Sequence, residues 1–297
     1  MVFCFMAILL PLHYRQNFKK FNFLHLREFH QTHPCRMTFH KLFLITILFL
    51  TFQSHAQSNS GDYEMYERAV SDYDKVIRQN PNNAEAYYLR GRAKAKLKDY
   101  TGAIEDLGKA IELEPDNAQA HYFRGRYRGL TKAYRASIVD YDKAIELQPQ
   151  YAEAYYFRGR TKGFVNDLKG ALADYSKAID IEDQYAQAYY YRGVVKDGME
   201  DYQGAIDDFS RAIALDPNYT DAYLYRGASK GNIEDYRGAV SDFSTAIELK
   251  PSNAKAYYFR GLSKIMLEDD RGGCEDLRQA SKMGFLEAEL EVGRHCE

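Results

Sequence analysis

The chain has 297 residues, of which 45% are hydrophobic and 28% charged, with a formal net charge of −2. This balance is typical of a folded globular chain and excludes a mainly disordered protein. Residues 1–56 hold six Lys or Arg and one acidic residue, which leaves 34 basic and 41 acidic residues for the remainder. A mildly acidic body is a poor match for a polyanion, so no nucleic-acid partner is expected.

The first predicted element is a leader at residues 37–56. It starts at a methionine, carries Lys41, runs apolar over 42–52 and ends in the small-residue pattern Ser-His-Ala. These are the parts of a secretory signal peptide, and they predict cleavage after Ala56 and a periplasmic or extracellular protein. Eleven apolar residues are too few for a helix that crosses a bilayer, which needs roughly 20, so no permanent membrane anchor is expected. Residues 1–36 are interpreted as an extension from a wrongly assigned upstream start.

After the leader the sequence repeats with a period of 34 residues. Each of six units carries an Ala followed by a ring-bearing residue (His121 in the second unit, Tyr in the others), then Arg-Gly, then a block such as GAIEDLGKAIELEP. The apolar residues of that block recur at i, i+1, i+4, i+7 and i+8, which predicts one face of a helix. A unit with two helices cannot bury both apolar faces alone, so neighbouring units must stack. The sequence therefore predicts an all-α solenoid.

A glycine recurs in the middle of each first helix and a small residue, mostly alanine, near the start of each second helix, as at Gly91 and Ala103. Glycine lowers helix stability by about 1 kcal/mol relative to alanine, so its regular presence needs a reason. Close packing of two helices supplies one, because a side chain at the crossing point would hold the backbones apart. The sequence predicts this contact in every unit.

These units resemble tetratricopeptide (TPR) repeats. In the third unit the matching residues are Tyr155, Gly159, Ala171, Tyr175 and Ala178, while Asp183 replaces the usual proline. The resemblance covers six units, at 84–117, 118–151, 152–185, 186–219, 220–253 and 254–287. A half unit is expected at 57–83 and a C-terminal capping helix at 286–297. The resemblance implies a right-handed superhelical solenoid of antiparallel helix pairs that acts as a non-catalytic scaffold for protein or peptide partners.

The units depart from the family pattern at two positions of the first helix, where basic residues recur. An arginine replaces the usual leucine, and a second base stands four residues later. The arginines are Arg90, Arg124, Arg158, Arg192, Arg226 and Arg260, and an acid recurs in the second helix at Asp106, Asp140, Asp174, Asp208, Asp242 and Asp276. The equal numbers favour a structural ladder of internal ion pairs. The alternative is that the arginines grip an acidic ligand.

The family resemblance implies that two other positions of each first helix point into a concave groove. These carry Tyr88, Tyr122, Tyr156 and Tyr190 in units one to four, with Arg92, Arg126 and Arg160 in units one to three. Tyrosine beside arginine is favoured at interfaces. We therefore expect a peptide or protein segment to bind here, with its acidic part toward units one to three. The alternative is that the tyrosines only pack helix on helix.

Two cysteines, Cys274 and Cys296, follow the leader. Their number and an oxidising compartment predict a disulfide that ties the capping helix to the last repeat, although two separate buried thiols would also fit. No phosphate loop, metal-ligand spacing or nucleophile motif is found, so neither a cofactor, a metal nor enzyme activity is expected. Two other functions stay open: an accessory subunit or regulator of a cell-envelope enzyme, and an RNA-binding helical repeat.

Overall fold

The computed structural model describes residues 61–296, which form fourteen helices and no strand. Helix α1 covers 61–79, and six helix pairs follow. The pairs are α2 (Ala84–Lys96) with α3 (Tyr100–Leu113), α4 (Ala118–Leu130) with α5 (Tyr134–Leu147), α6 (Ala152–Phe164) with α7 (Leu168–Ile181), α8 (Ala186–Gly198) with α9 (Tyr202–Leu215), α10 (Thr220–Asn232) with α11 (Tyr236–Leu249), and α12 (Ala254–Met266) with α13 (Asp270–Lys282). Helix α14 (Leu286–His295) ends the described chain.

The second helix of each pair starts at an acidic cap in five of the six units. The carboxylate of Asp167, for example, accepts a hydrogen bond of 2.9 Å from the backbone N–H of Gly170. Such a cap satisfies one of the N–H groups that a helix start leaves without a partner. The second unit differs, because Ala133 occupies the cap position of α5 and has no acceptor. A capping aspartate in the sequence therefore marks the observed start of the second helix in every unit except the second.

The turn between the two helices of a unit contains a residue in the left-handed conformation. Its φ angle is +63° to +66° in all six units, at Lys98, Lys132, Asn166, Glu200, Glu234 and Glu268. The next N–H reaches back to a carbonyl of the first helix, as from Asp99 to Lys94 at 3.0 Å. This bond closes the helix end as in a Schellman motif. A tight turn of this kind makes the two helices antiparallel.

The predicted close approach at Gly91 is confirmed. A Cβ atom added there would lie 3.1 Å from the carbonyl oxygen of Ala103 and 3.2 Å from side-chain atoms of Asp106 and Leu107. Ala103 and Leu107 are fully buried. Any side chain at Gly91 would push α2 away from α3 and open this core.

Consecutive helices pack in chain order from α2 to α14, and the first helices of neighbouring units also contact each other. The first helices therefore form one continuous layer, and we call its solvent-facing side the groove face. Buried residues of successive units join into a row of small cores, each shared by two neighbours. This architecture is a helical-repeat solenoid.

The predicted segments map onto the structure as follows. The leader at 37–56 and the extension at 1–36 lie outside the described residues. Helix α1 falls within the predicted half unit at 57–83, and α14 within the predicted capping segment at 286–297. Within residues 61–296, no helix has the length and apolar character that a membrane span requires.

Candidate peptide-binding groove

The recurring arginines and aspartates form what we call the ionic seam, which joins the two helices of each unit. In the third unit Arg158 donates from Nε and Nη2 to the two carboxylate oxygens of Asp174, at 2.8 and 2.5 Å. Lys162, one turn later on the same helix, lies 2.8 Å from the same carboxylate. Asp174 is 3% exposed. Each buried carboxylate thus faces two bases, and the other five units repeat the arrangement.

The seam also links neighbouring units. The remaining nitrogen of Arg158, Nη1, donates at 2.7 Å to Asp142 on the second helix of the preceding unit. Arg192 reaches Ser176 in the same way at 3.2 Å. The hydrogen bond with Asp208 raises the pKa of Arg192, so this guanidinium is held in its charged form. With both of its edges occupied, the seam arginine has little capacity left for a ligand.

The joint between the first and second units lacks this link. The position that holds Asp142 or Ser176 in later units is Gly108 there, and the Nη1 of Arg124 lies 3.8 Å from where its Cβ would be. Arg124 keeps its bidentate bond to Asp140, from Nε to Oδ2 at 3.2 Å and from Nη2 to Oδ1 at 2.7 Å. The second unit is therefore closed internally but is not clamped to the first through its arginine.

The four tyrosines predicted to line the groove are mostly buried. Tyr88, Tyr122 and Tyr156 are 5% exposed and Tyr190 is 7% exposed. The ring of Tyr156 lies 4.9 Å from that of Tyr185 and 6.0 Å from that of Tyr175, measured between centroids. Sequence reasoning left helix packing open as their role, and this geometry favours it. The four tyrosine rings therefore lie beneath the groove face and expose little surface to a ligand.

Burial also fixes the charge of these tyrosines. It raises the pKa of Tyr122 to about 12 and that of Tyr156 to about 12, against a smaller opposing effect of Arg126 and Arg160. A tyrosine hydroxyl with its ordinary pKa of about 10 is already neutral at physiological pH, and the raised pKa keeps these hydroxyls neutral in more alkaline solution as well. The arginines beside them therefore keep a positive charge that no tyrosinate offsets.

Three partly exposed arginines, Arg92, Arg126 and Arg160, form what we call the arginine row. Each guanidinium lies over an aromatic ring of the next unit: Arg92 over Phe123 at 4.4 Å, Arg126 over Phe157 at 4.7 Å, and Arg160 over Tyr191 at 5.1 Å. Stacking on a ring holds a guanidinium in place while most of its N–H donors stay available. One donor of Arg92, Nη1, is already bound to the hydroxyl of Tyr88 at 3.3 Å. Within residues 61–296, none of the three forms an ion pair with a carboxylate.

An apolar cavity of about 350 Å³ lies at the end of the arginine row and is lined by residues of α6, α7 and α8. Its lining includes Arg160, Phe164, Leu168, Tyr191 and Val194. Phe164 is 62% exposed, an unusual position for a phenylalanine side chain. The cavity is large enough to take one apolar side chain of a bound segment.

The groove face changes character after the third unit. The positions that carry the arginine row hold Val194, Ala228 and Leu262 in units four to six. An isolated acid, Asp197, occupies this face in unit four and accepts a 2.6 Å hydrogen bond from the hydroxyl of Ser229. The positive half of the groove is thus confined to units one to three.

Sequence reasoning missed the aromatic residues on which the arginine row stacks. Phe123, Phe157 and Tyr191 stand one position after the predicted tyrosines and recur with the 34-residue period. That period was the signal that could have identified them. Phe164 carried no such signal, because its position holds lysine, leucine, glycine, asparagine or methionine in other units.

The two cysteines form a disulfide that joins α13 to the residue after α14. Cys274 is 6% exposed. Within the described residues, no group of His, Cys, Asp and Glu side chains could hold a metal ion.

The stacked helix pairs and the shared ionic seam define a helical-repeat scaffold. Models of the tetratricopeptide repeat match residues 152–185 and 186–219, and a TPR repeat model matches 64–98 and 91–127. The chain therefore contains tetratricopeptide repeats within residues 64–127 and 152–219. No curated protein matches its sequence at a significant level.

Solved structures with the same fold include three TPR proteins. The TPR protein YrrB, described as having an unusual peptide-binding site, is 21% identical, with a TM-score of 0.55 over 62% of this chain and 95% of its own. MamA is 27% identical, with a TM-score of 0.53 over 56% and 96%. PilF of Pseudomonas aeruginosa is 17% identical, with a TM-score of 0.61 over 70% and 97%. Structural similarity at these identities establishes the TPR solenoid fold.

Proposed function

We propose that the protein is an interaction scaffold that binds an extended acidic peptide segment of a partner protein along the groove face of units one to three. The observation that carries this proposal is the arginine row. Three guanidinium groups, one per repeat, are stacked on aromatic rings and lack a carboxylate partner within residues 61–296. Arginines held in this way present their donors to carboxylates at little entropic cost.

The cavity lined by α6, α7 and α8 adds a second element of recognition. It lies beside Arg160 and is lined mainly by apolar side chains. A ligand with one apolar side chain next to its acidic stretch would fill the cavity and pair with the arginine row at once. The preferred ligand is therefore a segment of several Asp or Glu residues with a Leu, Ile or Phe at one end.

Synthetic peptides test this proposal. Fluorescein-labelled peptides of seven acidic residues, with one Leu moved through each position, would be titrated with the protein and followed by fluorescence anisotropy. We expect binding that weakens with added salt and depends on where the Leu stands. Matched peptides with Lys or Gln in place of the acids should not bind.

Variants of the protein complete the experiment. We expect Arg126→Gln and Arg160→Gln each to weaken binding of the acidic peptide about tenfold, which corresponds to about 1.4 kcal/mol. Arg135→Gln is the matched control, because Arg135 is exposed on the second helix α5, away from the groove face. Equal losses for all three variants, or tight binding of the Lys peptide, would contradict the proposal. Specific retention of RNA would favour the RNA-binding alternative.

We further propose that the protein works outside the cytoplasm. The disulfide between Cys274 and Cys296 supports this location, because structural disulfides persist mainly in oxidising compartments. Protein isolated from cells should start near Gln57 by N-terminal sequencing and should show no free thiol after unfolding. An accessory role beside a cell-envelope enzyme would use the same groove, and it predicts that such an enzyme is the partner lost in Arg126→Gln.

A further inference from the structure

The last described helix, α14, is built like the first helix of a repeat. Ala288 and Gly293 have the same spacing as Ala256 and Gly261 in α12. Ala288 is fully buried, as Ala256 is. A Cβ atom added to Gly261 would lie 2.9 Å from the backbone of α13, whereas one added to Gly293 would meet nothing within 4 Å. Helix α14 therefore packs against the preceding helix as a first helix does, but its glycine faces no second helix within the described residues.

An apolar stripe runs along this uncovered face of α14. Leu286 is 74% exposed and Leu290 is 66% exposed. Together with Gly293 they stand at i, i+4 and i+7, on one side of the helix. The disulfide at Cys296 attaches the end of α14 to α13 and so holds this stripe in a fixed direction.

Helix α1 is built like the second helix of a repeat, but no first helix precedes it within the described residues. Four of its residues stand 34 positions before the inward-facing residues Ala103, Asp106, Leu107 and Ala110 of α3, which are between 0% and 4% exposed. In α1 the side chain of Asp72 is 70% exposed and Val76 is 37% exposed, whereas Ala69 and Tyr73 are half-buried. This face of α1 is therefore far less covered than its counterpart in α3.

One pair of opposite charges also supports antiparallel pairing, the direction found in every repeat. Glu289 in the first turn of α14 stands where Tyr189 stands in α8, and Lys75 of α1 stands where Arg211 stands in α9. The guanidinium of Arg211 lies over the ring of Tyr189 at 5.9 Å. The same geometry would place the ammonium group of Lys75 beside the carboxylate of Glu289.

We propose that copies of this protein associate head to tail, with α14 of one copy packing against α1 of the next to complete a helix pair. Such a contact joins two different surfaces, so it extends into open chains and does not close as a twofold dimer. One helix pair is a small interface, and we expect association only at high protein concentration. The inference does not depend on what the groove binds.

The test uses the purified protein and two variants, each of which blocks one face. Gly293→Gln adds bulk on α14 where the monomer has free space, and Val76→Lys puts a charge on the exposed face of α1. Gly231→Gln is the matched control, since Gly231 also has nothing within 4 Å but lies in the middle of the solenoid. Sedimentation velocity over a range of concentrations measures the species present.

We expect the unchanged protein and Gly231→Gln to form a concentration-dependent series of oligomers, and each blocking variant alone to be monomeric. An equal mixture of Gly293→Gln and Val76→Lys retains one intact junction and should form dimers that grow no further. A dimer of Val76→Lys alone would show that α14 pairs with itself. A monomeric unchanged protein, as expected if residues before 61 cover α1, would overturn the proposal, as would oligomers unaffected by either variant.

Discussion

The two faces of a single helix, α6, show how the same residue type serves two purposes. Arg158 faces the second helix and is bound on both edges, by Asp174 and Asp142. Arg160, two positions later, faces the groove and lies over the ring of Tyr191 without a carboxylate in the described residues. The donors of Arg158 are therefore occupied by contacts within the fold, whereas donors of Arg160 are available to a ligand.

The difference between Arg158 and Arg160 shows how structural positions of a repeat can be distinguished from candidate binding positions. The residues of the ionic seam are present in all six units, because every helix pair must be closed in the same way. The arginine row is present in three units only, and the positions that follow hold Val194, Ala228 and Leu262. A position that repeats without exception supports the fold, and under the proposed function one that changes along the chain sets what the groove recognises.

The largest effect is expected in the ionic seam. Asp140→Ala would leave Arg124 and Arg128 beside a site that is 1% exposed, without their carboxylate. Removing one partner of a buried ion pair lowers the free energy of unfolding by about 3 kcal/mol. The control Asp116→Ala, in an exposed turn, should change stability by less than about 0.5 kcal/mol. Urea denaturation followed by circular dichroism measures both, and equal midpoints would mean that the seam does not hold the helix pair.

Two glycines on α10 allow the face packed against the second helix to be compared with the open face without changing a charged residue. A Cβ at Gly227 would lie 2.8 Å from the ring of Phe243, whereas one at Gly231 would meet no atom within 4 Å. We expect Gly227→Ala to destabilise the protein by about 1–2 kcal/mol through overpacking. Gly231→Ala should stabilise it by up to about 1 kcal/mol, the helix preference of alanine over glycine. Thermal unfolding of the two variants gives shifts of opposite sign if the packing is as described.

The second unit allows a gain of stability to be tested. The N-cap residue of α5 is Ala133, whereas the other second helices have an aspartate at this position. Ala133→Asp supplies the missing acceptor and should stabilise the protein by about 1 kcal/mol. Ala133→Val has no acceptor and should give no gain. If both variants melt at the same temperature, the caps seen in the other units contribute nothing measurable.

The smallest effect on stability is expected in the arginine row. Arg160→Gln removes one stacked cation, an interaction worth less than about 1 kcal/mol at a partly exposed site. Arg158→Gln, the matched variant in the seam, would leave Asp174 with Lys162 alone and should be clearly more destabilising. Urea denaturation gives the unfolding midpoint of each variant. A larger loss of stability in Arg160→Gln than in Arg158→Gln would contradict the roles assigned to the two faces.

Much of the fold could be predicted from the sequence because one period controls it. The helix pairs, the contact of Gly91 with Ala103 and the pairing of arginine with aspartate all depend on residues that recur every 34 positions. The left-handed turn residue could not be predicted in this way. Lys98 and Glu234 are not residues that favour positive φ, and only the closure of the preceding helix requires it there.

The candidate site was harder to predict, because its geometry arises between units. The sequence placed Tyr156 and Arg160 on one face but did not show that neighbouring rings bury the tyrosine. Nor did it show that each arginine would lie over a ring of the following unit, as Arg126 does over Phe157. Both facts depend on the rotation from one helix pair to the next, which a periodic pattern does not specify.

The glycine at position 108 has a mechanical consequence. Elsewhere in the seam a guanidinium bridges each unit to the one before it, and those bridges resist bending, whereas Gly108 gives Arg124 nothing to hold. Bending at the junction of the first two units is therefore opposed by helix packing and by the hydrogen bond from the Tyr88 hydroxyl to Gln119, at 2.9 Å, but not by a guanidinium. A change of angle there would alter the separation of Arg92 from Arg126 and so, under the proposed function, the spacing of acidic groups that the first two units match.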